Sequence, residues 1–331
     1  MANNRIFYAT QAVSFQPKDD DGTAFANKYA AQGVQSVGLT TNFNLEQVFQ
    51  LGQLEIYDQV EDVPEVEMTV NKNFDGTAPL YLLCMGGKLG IDGASGKALP
   101  ALANNKLDAF LTVYPDTSSQ ASGAYEAGAK MTDMYLSSVS FTFPVDGIAT
   151  EDVTLVGNSK TWGDSDPNFD GQYGDKTAKS VAQRYSIDVS SLPYSDRVQS
   201  VTMSTDLGRE AINELGTMKP YYRYVNFPVE VSCEIEIVAL DGDGVDAADA
   251  ASCNNPLNNT GAGVPISIVV CGASSADSLT VSLGSKNKVS SVNYSGGDTG
   301  GGNASITYSY QTFNDFVVTA AGTYENCPEK S

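Results

Sequence analysis

Short runs in which hydrophobic and polar residues alternate recur along the chain. The clearest, Phe227 to Leu240, puts Val, Cys and Ile on one face and Glu and Ser on the other. Glu65 to Val70 alternates in the same way. A period of two residues is that of a β-strand with one buried face. Turns rich in Gly, Asn and Asp separate the runs, so the pattern predicts an all-β fold.

Weaker patterns predict further strands and two short candidate helices. Leu80 to Met85 is a continuous apolar run that predicts either a short helix or a buried strand. Ala98 to Asn105 predicts a short helix, because Pro100 would fall in its first turn. The additional strands are expected at Ile6 to Phe15, Val34 to Phe43, Val48 to Tyr57, Leu107 to Tyr114, Tyr135 to Phe143, Glu151 to Val156, Pro265 to Cys271, Leu279 to Leu283, Lys288 to Tyr294, Ser305 to Gln311 and Phe316 to Ala320.

The segment from Asp206 to Leu215 has the pattern of a longer helix. Asp206 is a suitable N-cap, and a glycine follows the segment and can end it. Leu207, Ala211 and Leu215 repeat at i, i+4 and i+8, so they would share one helix face. We therefore expect a flanking helix that docks on a sheet through this stripe.

Two polar stretches interrupt the strand pattern, at residues 159–180 and 241–263. Within the first, Ser159 to Tyr173 is expected to be an exposed loop. It carries Trp162, the only tryptophan of the chain. An exposed Trp would suggest a partner surface, whereas packing against its own domain would be a structural role.

Charge narrows the possible partners. The chain has 19 Lys and Arg against 40 Asp and Glu, a formal net charge of -21. Such a chain repels a nucleic-acid backbone, so we expect no high-affinity nucleic-acid binding. The charge suits a surface past which nucleic acid slides, and it equally suits a simple role in solubility. The absence of His removes the commonest general base and makes an enzyme less expected.

No motif in the sequence specifies a metal or cofactor site. Asp241 to Asp246 has the residue types of a calcium loop but lacks the EF-hand spacing. Gly296 to Asn303 is rich in glycine but lacks the Lys-Ser or Lys-Thr ending of a phosphate loop. The cysteines are odd in number and widely spread, so we expect free thiols, with a Cys253–Cys271 pair left open.

The start of the sequence and its hydropathy give expectations about location. The N-terminal residues show no apolar segment followed by a small-residue cleavage site, so we expect no signal peptide. No apolar run approaches membrane-spanning length. We expect a soluble protein with no membrane partner.

Carboxylates are concentrated on the polar faces of two predicted strands. Glu65 and Glu67 share one face of the first strand, and Glu230, Glu234 and Glu236 share one face of the second. Rows of like charge repel each other and need strong solvation. The sequence allows either an ordinary water-facing sheet or a water-filled acidic lumen.

Several of these runs resemble a known family, the tail tube (major tail) proteins of long-tailed bacteriophages. The strongest likeness is a strand, loop and strand, and the likeness does not extend to the C-terminal part of the chain. The residues that carry it are Gly52 to Tyr57 with Val63 to Val70, Gly33 to Gly38, Phe143 to Gly147 with Glu151 to Leu155, and Asn226 to Val231.

This resemblance implies a fold and a mode of assembly. Tail tube proteins have two packed antiparallel sheets, a sandwich or half-barrel, with one flanking helix, which here would be Asp206 to Leu215. Their subunits close into hexameric rings that stack into a hollow tube for DNA passage. We accordingly expect a single domain over residues 1–331 with loop insertions at 159–180 and 241–263.

The same resemblance implies a non-enzymatic subunit of a virion that uses no metal and no cofactor. Its partners would be further copies of itself, other phage tail proteins, and DNA that passes through the lumen without specific binding. Assembly would take place in the host cytoplasm. The candidate lumen-facing carboxylates are Glu65, Glu67, Glu230, Glu234 and Glu236.

Other functions stay open on the sequence alone. A head-decoration or other coat protein would also be a virion subunit, although no long helix of the commonest phage coat fold is predicted. A secreted β-sandwich adhesin or carbohydrate-binding module would use the Asp-rich loops and aromatic residues. A glycosidase would need two carboxylates at a fixed separation, which the sequence does not show.

Overall fold

The computed structural model of the protein describes residues 6, 10–18, 22–24, 28–85, 97–115, 125–163, 181–240, 263–272, 277–297 and 302–325. Its helices are α1 (Leu80–Met85) and α2 (Leu99–Leu102), with 3-10 turns at Arg184–Ser186 and Gly322–Glu325. Its strands are β1 Gln11–Lys18, β2 Tyr29–Ala30, β3 Val34–Asn42, β4 Leu45–Phe49, β5 Ile56–Glu61, β6 Glu65–Asn73, β7 Lys97–Ala98, β8 Lys106–Val113, β9 Ala127–Pro144, β10 Thr150–Gly157, β11 Ser159–Trp162, β12 Ile187–Asp188, β13 Val198–Asp206, β14 Arg209–Ile212, β15 Tyr222–Val225, β16 Glu230–Val238, β17 Ser267–Cys271, β18 Ser278–Ser282, β19 Lys288–Ser295, β20 Ser305–Phe313 and β21 Val317–Ala321.

The prediction of an all-β fold with antiparallel sheets is confirmed. The largest sheet has the strand order β19-β20-β16-β13-β9-β10-β6-β3, and we call this row the main sheet. Each neighbouring pair in it is antiparallel. A smaller sheet has the order β12-β17-β18-β21-β7. The hairpins β4–β5 and β14–β15 form separate two-stranded sheets.

Strand β9 belongs to two ladders because it is long, at 18 residues. Its first part pairs with β8 and β11, and its second part pairs with β10 and β13. The ladder with β8 shifts register near Asp133, whose φ is 55°. Lys18 Nζ lies 2.6 Å from Asp108 and 2.9 Å from Asp133, and these ion pairs hold the irregular point. The bulge lets one strand serve both ladders.

Both sheets contribute to one hydrophobic core. Phe141 of β9 stacks on Phe316, which precedes β21, with ring centroids 5.8 Å apart. Phe141 also stacks on Phe74 at 5.6 Å. Tyr81 of α1 meets the edge of Phe316 at 5.4 Å, and all six residues of α1 are buried. The apolar run at Leu80 to Met85 is therefore a helix inside the core.

A buried carboxylate holds the start of α1. Glu151 of β10 accepts backbone hydrogen bonds from Leu80 and Tyr81, each 2.7 Å long. Its cross-strand partner on β6 is Lys72, which is also buried. Burial raises the pKa of Glu151 to about 7, against the lowering effects of Lys72 and of the two N–H groups. These hydrogen bonds satisfy N–H groups that a helix start leaves without partners.

The predicted flanking helix over Asp206 to Leu215 is wrong. Strand β13 runs to Asp206, and β14 then pairs with β15 as a hairpin. The Asp206 carboxylate accepts the Gly208 N–H at 2.9 Å, so it closes a turn and caps no helix. Gly208 has φ +53°, which is outside the helical region. The i, i+4, i+8 spacing of Leu207, Ala211 and Leu215 does not correspond to a common face.

We expect Gly208→Ala to lower the free energy of unfolding by about 1 kcal/mol, because an L side chain is strained at positive φ. No atom lies within 4 Å of the added Cβ, so backbone strain is the main cost. Urea unfolding of the variant beside the wild type measures the change. An increase in stability would instead support a helix at this position, where Ala is favoured over Gly.

Glu151→Gln should remove a pH dependence of stability. The pKa of Glu151 is raised by folding from 4.5 to about 7, so its protonated form favours the folded state. That contribution is complete below pH 4.5 and is lost as the pH rises towards 7. Urea unfolding from pH 5 to pH 8 should show wild-type stability falling by on the order of 2 kcal/mol relative to the variant. Parallel pH profiles for the two proteins would contradict this assignment.

Candidate assembly surfaces

The first projecting hairpin, Leu45 to Glu61, extends the β3–β6 ladder beyond the end of the main sheet. Asn42 and Glu65 form the last pair of that ladder, and Leu45 and Glu61 form the first pair of the hairpin. Every residue of β4 and β5 is exposed. Neither face of the hairpin therefore packs against the hydrophobic core.

Hydrogen bonds at its base set the direction of this hairpin. Asn44 has φ +46°, and its side-chain amide donates to the Val63 carbonyl at 3.0 Å. The Asp62 N–H donates to the Asn44 carbonyl at 3.2 Å. At the tip, Gly52 has φ +91°, a conformation suited to glycine. The base is thus fixed to the main sheet while the tip projects into solvent.

The first projecting hairpin is rich in exposed apolar side chains. Leu51 and Leu54 at its tip are fully exposed. A lone two-stranded hairpin is marginal in water, and a cluster of exposed apolar residues marks an interaction surface. The apolar residues concerned are Leu45, Val48, Phe49, Leu51, Leu54, Ile56, Tyr57 and Val60, with Phe43 just before the hairpin.

The second projecting hairpin, Arg209 to Val225, extends the β13–β16 ladder in the same way. Its exposed apolar residues are Ile212, Leu215, Met218 and Tyr221. Strands β3 and β13 run in the same direction, because an odd number of antiparallel strands separates them. Both hairpins therefore project from the same edge of the main sheet, the one at which β3 and β13 end.

Arg223 links the bases of the two hairpins. This side chain is nearly buried, and its Nη1 lies 3.0 Å from Glu65 Oε1 at the start of β6. Its Nε donates to Asn158 Oδ1 at 3.1 Å, and the Asn158 amide donates to the Pro64 carbonyl at 2.7 Å. The two projections are thus held together as one unit at that edge.

The face of the main sheet opposite the core is mostly polar, and its apolar members include Val156, Tyr135 and Phe313. Directly paired residues on adjacent strands share this face, as in the row Asn71, Asp152, Ser140, Ser204 and Ser232. Cross-strand hydrogen bonds lie along the same row: Asn71 to Asp152 at 2.7 Å and Ser204 to Ser232 at 2.9 Å. Where the described strands from β20 to β3 pair with one another, they place no Lys or Arg on it. We call this surface the polar face.

The structure places the predicted carboxylates on the polar face, on two separate strands. Glu65 and Glu67 lie on β6, and β10, β9 and β13 separate them from the glutamates of β16. Two of the five are engaged within the chain: Glu65 pairs with Arg223, and Glu236 accepts a hydrogen bond from Ser200 at 3.2 Å. The glutamates of β16 on this face are Glu230, Glu234 and Glu236.

Sequence reasoning missed part of this surface. Asp152 of β10 and Asp206 of β13 add carboxylates between the two groups of glutamates. The Ser and Thr residues that alternate with buried positions along β9, β10 and β13 complete the face. Polar residues recur with a period of two in these strands, as they do from Glu230 to Glu236, but most of them are small and uncharged.

Other predicted features fall partly outside the described residues. Ser159–Trp162 is strand β11, which pairs with β9, so the loop predicted from Ser159 is wrong at its start. Trp162 is 54% exposed, as a partner surface would require. Cys84, Cys233 and Cys271 are free thiols. Residues 164–180, the Asp241 to Asp246 motif, Cys253 and Cys327, and part of the Gly296 to Asn303 loop lie outside the described residues.

The described residues show no arrangement of a metal site or a membrane span. Among them, no group of three or more Cys, Asp or Glu side chains is placed to hold a metal ion. None of the helices in the described ranges has the length and apolar character that a membrane crossing needs.

Comparison with known proteins gives weak structural likeness and no match in sequence. No protein-family model and no curated protein sequence matches the chain. A chain in the solved structure titled "Cryo-EM structure of the anti-feeding prophage (AFP) baseplate, 6-fold symmetrised" aligns with 49% of this chain and 97% of its own length. The TM-score is 0.34 and the sequence identity is 7%, values too low to carry an argument about fold or function.

Proposed function

We propose that this protein is a structural subunit of a phage-tail-like particle, and that it is the tail tube protein. In this proposal its copies form hexameric rings that stack into a hollow tube for DNA passage. The observation that carries the proposal is the combination of two apolar hairpins on one sheet edge with a carboxylate-bearing face on the same sheet.

The projecting hairpins support self-assembly along one axis. Their exposed apolar side chains pack against no core surface in the described residues, and both hairpins project from the same edge of the main sheet. A second copy of the chain, stacked on that edge, would bury them. Burial of a Leu side chain contributes about 1.5–3 kcal/mol, so the tip leucines alone supply a substantial contact energy.

The outer strands of the main sheet support closure into a ring. Strands β3 and β19 are the two outermost strands of the sheet, and each pairs on only one side in the described part of the chain. Exposed strand edges tend to pair with another chain. If β3 of one copy met β19 of the next, the contact would be head-to-tail, which generates a closed ring when the rotation fits.

The polar face supports a lumen through which DNA moves without binding. Glu67, Glu234 and the aspartates between them repel phosphates, and the surrounding Ser, Thr and Asn side chains are short and uncharged. Where the described strands from β20 to β3 pair with one another, this face carries no Lys or Arg, so it offers no cationic side chain to a phosphate. Within the proposal, Glu65, Glu67, Glu230, Glu234 and Glu236 face the lumen.

The remaining expectations belong to the same proposal. The chain would be one domain over residues 1–331, with insertions at 159–180 and 241–263 on the outside of the tube. Exposed Trp162 lies within the first of these insertions. Other tail proteins would bind the ends of the tube, assembly would take place in the host cytoplasm, and no catalytic step would be involved.

We expect the double variant Leu51→Glu, Leu54→Glu to prevent assembly without unfolding the subunit. Both side chains are fully exposed, so the subunit loses no core contact. Losing about 3 kcal/mol or more of contact energy should raise the assembly concentration at least ~100-fold. Negative-stain electron microscopy and sedimentation measure assembly, and circular dichroism measures the Tm.

Tyr185→Glu is the control, because Tyr185 is 81% exposed and lies on the 3-10 turn Arg184–Ser186, which is part of neither hairpin. Wild type and control should form stacked rings or tubes, while the hairpin variant stays monomeric with an unchanged Tm. A wild type that forms only monomers or trimers would contradict the tube and favour a decoration protein or binding module. Normal tubes from the hairpin variant would contradict the role of the hairpin.

A further inference from the structure

A cavity of about 110 Å³ lies between the second projecting hairpin and the start of β8. Lys106 of β8, Asp133 and Tyr135 of β9, and Asn158 form one side of it. Lys219, Tyr222 and Arg223 of the hairpin form the other side. A concave site with a few converging polar groups is the usual form of a binding pocket.

This cavity concentrates positive charge in a chain that has little. Lys106, Lys219 and Arg223 all line it, in a protein with 19 Lys and Arg against 40 Asp and Glu. The Lys106 ammonium lies over the rings of Tyr135 and Tyr222, 5.8 and 5.5 Å from their centroids. These cation–π contacts position the ammonium at the cavity wall without neutralising it.

Each carboxylate near the cavity has a cationic partner. Lys18 lies 2.9 Å from Asp133 and is shared with Asp108 at 2.6 Å, and Arg223 lies 3.0 Å from Glu65. Neither Lys106 nor Lys219 has a carboxylate within 4.0 Å in the described part of the chain. Their charges are therefore left for a group that enters the cavity.

A further guanidinium lies behind the Tyr135 wall. Arg209 sits over the ring of Tyr135, 5.0 Å from its centroid, and donates from Nε to the Leu136 carbonyl at 2.7 Å. Its Nη2 is buried and has no hydrogen-bond partner among the described residues. This charge adds to the positive potential of the cavity, because burial weakens its screening by solvent.

We propose that this cavity binds one oxyanion group, a carboxylate or an inorganic phosphate, between Lys106, Lys219 and Arg223. The volume is sufficient for one group of that size. In the assembled tube the oxyanion would be a carboxylate from a second copy. That role rests on the proposed function, whereas oxyanion binding by the single subunit does not.

The first projecting hairpin is the segment of a second copy that fits this role. It carries acidic residues at exposed positions: Glu46 on β4, Asp58 and Glu61 on β5, and Glu55 in the tip. The hairpin leaves the same sheet edge that bears the cationic cavity, so the hairpin of a neighbouring copy in the same ring would lie level with the cavity. Ion pairs of this kind fix orientation between copies more than they add affinity.

The first experiment measures phosphate binding by the full-length subunit below its assembly concentration. The Tm is followed against sodium phosphate, with sodium chloride at equal ionic strength as reference. The expected result is a saturable rise in Tm with phosphate alone, because a ligand of the folded state stabilises it. Lys106→Met and Lys219→Met should each raise the phosphate concentration at half-saturation about tenfold.

Lys286→Met is the matched control for Lys219→Met, because both lysines are exposed and the charge change is the same. The control should bind phosphate as the wild type does. Absence of a phosphate-specific rise in Tm, or equal half-saturation in all these variants, would overturn the oxyanion site. Either result would leave the tube proposal untouched, since no assembly takes part in the measurement.

A second arm distinguishes the source of the oxyanion. If a carboxylate of a neighbouring copy occupies the cavity, phosphate should raise the assembly concentration of wild type and Lys286→Met. Lys219→Met should assemble less well from the start and respond little to phosphate. Phosphate binding to the subunit with unchanged assembly would assign the site to the free anion.

Discussion

The antiparallel pairing of the main sheet determines where the core, the polar face and the hairpins lie. Register shifts occur in the β9–β10, β13–β16 and β3–β6 pairs, but between them a single row such as Asn71, Asp152, Ser140 and Ser204 runs across several strands. A slip of one residue in any strand would move its Val and Ile side chains to the solvent face and its Ser, Thr and Glu side chains into the core. The hydrophobic core and the polar face are thus two consequences of the same pairing.

The strand pairing also determines where the two projecting hairpins lie. Each continues one ladder of the main sheet, and both leave at the same edge, where Arg223 ties their bases together. The surface that would bind another copy therefore lies perpendicular to the polar face. A stack of subunits that buries the hairpins would align the polar faces parallel to its axis, which is the geometry that a smooth channel needs.

Local patterns in the sequence predicted the faces of strands, and interactions between distant residues decided the rest. The alternation in β6 and in β16 was sufficient to place the glutamates of each strand on one face of it, because burial of one face imposes a period of two. The single strand predicted from Val48 to Tyr57 is wrong: this segment forms the tip of a hairpin, whose apolar residues follow no buried face. The helix predicted from Asp206 to Leu215 fails at Gly208, whose φ is positive. The Arg223–Glu65 pair joins residues 158 apart in sequence, so no local pattern shows it.

In the proposed particle the polar face lines an enclosed channel. A cryo-electron-microscopy reconstruction of the assembled wild-type protein locates the main sheet relative to the particle axis. We expect stacked rings in which Glu67, Thr142 and Glu234 point into the lumen and the hairpins lie between rings. A particle with these side chains on its outer surface, or with the hairpins exposed to solvent, would contradict this expectation.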